Sequence, residues 1–148
     1  MSRGERLGSA AIAAFLADAR SALVDATGLD AFVDVCPSES DEGIVVVIHV
    51  RGDLSGVSWR IPVAIAARLV EVMAPGVEAD AAMHELGAAE LANILTGRGV
   101  GALAAHGIAA EIEPPELAVT GERGLVVVLS TELGAIEVGF HQPLGVAA

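Results

Sequence analysis

Two stretches of this chain carry nearly the same pattern. "GIVVVIHV" (residues 43–50) is answered by "GLVVVLST" (124–131), and "GVSWRIP" (56–62) is answered by "GAIEVGF" (134–140) once a longer first loop is allowed. The β-branched runs are what an inner strand uses. In the segments that follow, Val57, Trp59 and Ile61 alternate with Ser58 and Arg60, while Ile136, Val138 and Phe140 alternate with Ala135, Glu137 and Gly139. Period two predicts strands with one buried and one wet face, hence two hairpins. Each hairpin follows a helical segment and a short strand, so the chain reads as a degenerate duplication, helix–strand–hairpin twice. The expected class is α+β, an antiparallel sheet packed with long helices.

The helices are legible from their ends. The first runs from about Ser9 to Ala26, its apolar stripe formed by Ile12, Phe15, Leu16, Ala19 and Leu23, and Gly28 stops it. That stripe continues past the A-x-A-like site which would otherwise suggest a signal peptide. "AFVDVCPS" (31–38) reads as a short strand ended by Pro37. Pro62 suits the first turn of the helix "PVAIAARLVEVM", which "APG" terminates. A long Ala-rich helix follows from about Asp80 to His106, and "EIEPPELAVTG" breaks it and supplies another short strand.

With 148 residues, 53% of them hydrophobic, the chain fits one domain, 1–148, with a real core. All 8 basic residues are Arg, and the formal net charge is -12. That balance disfavours nucleic acid and anionic membranes, while a basic protein face stays acceptable. No uncharged run reaches the roughly 18 residues needed to span a bilayer. Cys36 stands alone, which excludes an internal disulfide and points to a reducing cytoplasm; it is expected to be structural. His49, His84, His106 and His141 lie on different elements without metal-ligand spacing, so no metal site is expected. "GRGVG" (97–101) lacks Lys and follows no strand, which rejects a phosphate loop.

One polar pair stands out. Asn93, the chain's single asparagine, lies three residues after Glu90 in "AAELANILTG". At about 100° per residue, Glu90, Leu86 and Asn93 share a face with Gly97 close beside them. His84, Ala88, Leu91, Leu95 and Ala102 fall about 100–160° away as the expected core stripe. A carboxylate and an amide framed by apolar and small residues suggest a docking surface. Gly97 and Gly99 each weaken the helix by about 1 kcal/mol relative to Ala, but let another backbone approach closely.

The run "ELANILTG" followed by "GIAAEIEPPELAVTG" resembles the CheC/CheX/FliY family of chemotaxis phosphatases. Their signature is a helical Glu, an Asn three residues on and a proline some two dozen residues later. Here those positions are Glu90, Asn93 and Pro115, with Pro114 and Gly121 completing a similar turn and strand. "GDLSGVSWRIPVAIAARLVEVM" resembles the family's hairpin and following helix, so the likeness covers most of the chain from Gly43 onward. A single copy of the signature looks more like CheX than CheC.

The resemblance implies a CheC-like fold, a homodimer, and hydrolysis of the aspartyl phosphate of a CheY-like response-regulator receiver domain. It assigns Asn93 to orienting the attacking water and Glu90 to pairing with the receiver's lysine. The protein then needs no cofactor of its own, because the receiver brings Mg²⁺. Family members often carry Ser or Asp where this chain has Leu86. That departure implies either an altered receiver preference or a loss of activity. The flagellar switch relatives share the fold without all being hydrolases, so a non-catalytic receiver-binding module is the alternative.

Overall fold

The computed structural model describes residues 8–34, 42–118 and 125–141. Among them lie three helices, α1 (Ser9–Thr27), α2 (Val63–Met73) and α3 (Ala81–Ala104), and seven strands: β1 (Phe32–Asp34), β2 (Ile44–Gly52), β3 (Gly56–Ile61), β4 (Ala110–Ile112), β5 (Glu116–Ala118), β6 (Leu125–Thr131) and β7 (Gly134–His141). The class is α+β, as the two periodicities require. Cys36, Pro37 and Gly121 fall outside the described residues.

The helix ends follow local chemistry. Gly28 closes α1 in the left-handed region at φ 76°, and its N–H donates to the Val24 carbonyl. Such a cap is what glycine permits most cheaply. Pro62 sits just before α2 and not inside it, its carbonyl accepting from Ile65 and Ala66. Asp80 caps α3 by accepting from the Met83 amide at 2.9 Å, which satisfies one of the first-turn donors.

The sheet order is β1-β6-β7-β3-β2-β4, with β5 also pairing β2, and every described pairing is antiparallel. The two hairpins, β2–β3 and β6–β7, meet with β3 against β7. Each half sends its short strand across to the other half's hairpin: β1 pairs β6, while β4 and β5 pair β2. At the centre Trp59 opposes Val138 and Arg60 opposes Glu137. The two helix–strand–hairpin units read from the sequence thus meet at β3 and β7 in the middle of the sheet.

The segment read as one strand after the long helix is two. Val50 opposes Ile112 and Val47 opposes Glu116, so Ile48 and His49 face three residues, Glu113, Pro114 and Pro115. Proline has no N–H for a ladder, which places an extra residue and a break there on the outer edge of β2.

The wet-face expectation holds only in part. Val57, Trp59, Ile61, Ile136, Val138 and Phe140 are buried as their period demands, but Ser58 is buried too, and so are Val45 and Val128. Ser58 Oγ lies 3.0 Å from His141 Nε2, also buried. Arg60 and Glu137 pair at 3.0 Å with side chains only 19% and 16% exposed. Ser58, Arg60, Glu137 and His141 belong to the two central strands, and Val45 and Val128 to the strands that flank them, so each lies on a strand with a neighbour on both sides.

On the other face lie the helices. Phe15 of α1 stacks on Trp59 (centroids 6.2 Å, 26° between planes) and meets Phe140 edge-on at 4.9 Å and 83°. Three of the chain's four aromatic side chains thus meet at one point, fixing α1 over β3 and β7. Among the described residues no helix is long and apolar enough to cross a membrane.

Candidate functional site

The candidate site is the outer face of α3, and its aim depends on how the helix is held from beneath. Ala88, Leu91, Ala92, Leu95 and Leu103 are fully buried. His84 and Ala102, expected on the same stripe, are only half-buried, because the stripe turns away from the core at its two ends. Thr96, also fully buried, was not anticipated from the sequence. Its hydroxyl donates to the Ala92 carbonyl at 2.7 Å and accepts from the Trp59 indole N–H at 2.8 Å. That bond ties α3 to the central strand and fixes the rotation of the helix about its axis. A buried tryptophan needs an acceptor, and this was the one sequence signal that could have pointed to Thr96.

Removing it has a calculable cost. Thr96→Val keeps the shape but strands the buried Trp59 donor, and is expected to lower stability by about 1.5 kcal/mol. A urea melt of the two proteins checks this; an unchanged midpoint would show that the bond does not hold α3.

Two glycines bring neighbours close. A Cβ on Gly87 would lie 2.8 Å from Val70 Cγ2 and 3.0 Å from the Ala66 carbonyl oxygen, so α2 rests on the α3 backbone there. At Gly99 the close neighbour is the ring of Phe15, not another backbone as the sequence implied. Arg98 reaches Asp25 of α1 at 3.5 Å, an exposed pair of small energetic weight.

The opposite side of α3 faces outward. Leu86 is 71% exposed, Glu90 and Gly97 are exposed, and Asn93 is half-buried between the half-buried Ile94 and the buried Ala92. These four positions fall within about 60° of one another around the axis and span about 16 Å along it. The face is therefore a single row on a helix immobilised from below. The carboxylate is an acceptor, while the amide both accepts and donates.

Pro114 and Pro115 do not belong to this row. They join β4 to β5, and α3 packs against both strands. Ile112 reaches to 4.0 Å of where a Cβ on Gly97 would sit. β4, which leads into the bulge, thus flanks the row at Gly97. Among the described residues no group of three or more His, Cys, Asp or Glu side chains could hold a metal ion.

No family model matches the sequence, and no curated protein matches it either. Solved structures do match. A CheX chemotaxis protein from Desulfovibrio desulfuricans superposes with a TM-score of 0.73 at 14% identity, over 90% of this chain and 99% of that one. A CheC-like superfamily protein from Shewanella gives 0.66 at 15% identity, over 89% and 96%. A CheX–CheY–BeF₃–Mg²⁺ complex from Borrelia burgdorferi gives 0.63 at 20% identity, over 88% and 96%. The chain has the fold of the CheX and CheC-like chemotaxis proteins.

Proposed function

We propose that this protein is a phosphatase for the aspartyl phosphate of a CheY-like receiver domain. The observation that carries this reading is the outward row on α3, with Glu90 and Asn93 adjacent on a rigid helix, in a chain with the CheX fold. The Borrelia structure with that fold holds CheY together with BeF₃ and Mg²⁺.

The chemistry asks little of the protein. An acyl phosphate has a carboxylate leaving group, and the receiver supplies Mg²⁺ and a charge-stabilising lysine. What remains is to hold a water in line with the bond that breaks. The Asn93 carbonyl oxygen accepts one hydrogen of that water and turns its lone pair toward phosphorus. The water oxygen then bonds to phosphorus, the bond from phosphorus to the aspartyl oxygen breaks, and the electron pair leaves with the aspartate. The water's proton passes to the phosphate or solvent, since a neutral amide takes none. Positioning is the main lever in phosphoryl transfer. Glu90, one turn away, pairs with the receiver's lysine and sets the helix over the site.

Adding the protein to CheY-type receiver domains of the same genome, charged with acetyl phosphate, is expected to shorten the phosphoryl half-life of at least one of them. Glu90→Ala is expected to raise the half-saturating receiver concentration by about tenfold while sparing most of the maximal rate, as loss of a charge-assisted contact does. Receiver binding without faster decay would instead establish the non-catalytic binding module.

A further inference from the structure

We infer that Leu86 selects the receiver: the partner served by this protein carries an apolar pocket one helical turn from the basic group that meets Glu90. This rests on the receiver-phosphatase reading above and deepens it.

Single exposed leucines are ordinary, so exposure alone decides nothing. What marks Leu86 is its place. It is 71% exposed, yet its neighbours Gly87 and Ala88 are buried, and Gly87 has α2 against its backbone. The side chain therefore stands on a fixed base and holds nothing in the fold. It lies four residues from Glu90, about 6 Å along the axis on the same face. The half-buried Met83 widens the apolar ledge behind it.

The other end of the row has no side chain of its own, and Ile112 flanks it at Gly97. Gly97 and Gly101 are exposed, and a Cβ on Gly101 would meet nothing within 4 Å. A partner drawn in by Glu90 must lie low over the glycines and meet Leu86 at the opposite end. If that meeting point were polar or charged, closing the interface would strip its water and return no hydrogen bond. If it is an apolar pocket, Leu86 is buried favourably. The net charge of -12 attracts basic faces in general; Leu86 discriminates among them.

The test uses the full chain and the CheY-type receiver whose dephosphorylation the wild type accelerates most. Leu86→Ala and Leu86→Ser are expected to raise the half-saturating receiver concentration by about tenfold, with the maximal rate changed by less than about threefold. Leu86→Met is expected to restore most of the lost affinity. Binding to the beryllofluoride-loaded receiver should fall in the same order. Unchanged half-saturation in Leu86→Ala, tighter binding in Leu86→Ser, or a loss confined to the maximal rate would each overturn the inference while leaving the phosphatase reading intact. No acceleration by the wild type on any receiver would overturn both.

Discussion

Asn93→Ala is expected to slow receiver dephosphorylation by about 100-fold, the order of effect that misplacing a reacting group brings, with the protein still folded and still able to bind. Asn93 is half-buried on the outer side of α3, away from the stripe that packs on the sheet. Truncating it leaves Ala88, Leu91, Leu95 and the Trp59–Thr96 bond in place. Alanine also favours the helix more than asparagine, so the melting temperature should not fall. The loss should appear in the maximal rate and not in the half-saturating concentration, the reverse of Glu90→Ala. A rate equal to wild type would remove Asn93 from the mechanism.

Gly99→Ala runs against helix propensity and is expected to destabilise the fold by about 2 kcal/mol. Elsewhere in a helix this change stabilises, by up to about 1 kcal/mol. Here the new Cβ would sit 2.6 Å from Phe15 Cζ and closer still to Cδ2 and Cε2. Phe15 has no room to give, being fully buried between Trp59 and Phe140. Forcing extra volume into such a site costs about 1–3 kcal/mol; the close overlap puts this one at the upper end, and the propensity gain of about 1 kcal/mol brings the net loss to about 2 kcal/mol. For a chain of this size that corresponds to a melting point lower by roughly 6 °C. Gly101→Ala, two residues on in open space, is the control, expected to raise stability. Equal melting points for the two variants would contradict the packing described for α1 and α3.

Much of this was written in the sequence as periodicity. The β-branched runs and their alternating partners announced the hairpins, and Gly28 and Asp80 marked helix ends. About 100° per residue was enough to put Glu90, Asn93, Leu86 and Gly97 on one side of α3. What the pattern missed came from contacts between residues distant in the chain. Alternation alone made Ser58 wet, because it does not reveal that β3 and β7 lie side by side at the centre of the sheet. Gly99 read as a place for a backbone, whereas its visitor is an aromatic ring from the first helix. The helical pattern does not mark Thr96, whose burial follows from the Trp59 indole it accepts from. The paired prolines signalled a break, but only the register against β2 turned that break into a bulge between two strands.

The most direct measurement is phosphate release from an acetyl-phosphate-charged CheY-type receiver in ¹⁸O-labelled water, with the protein at about a tenth of the receiver concentration. Water held in line with phosphorus predicts faster release, several equivalents per protein molecule, and one labelled oxygen in each phosphate. Release no faster than that of the receiver alone, on every receiver of the genome, would contradict the account. So would label appearing in the aspartate carboxylate in place of the phosphate.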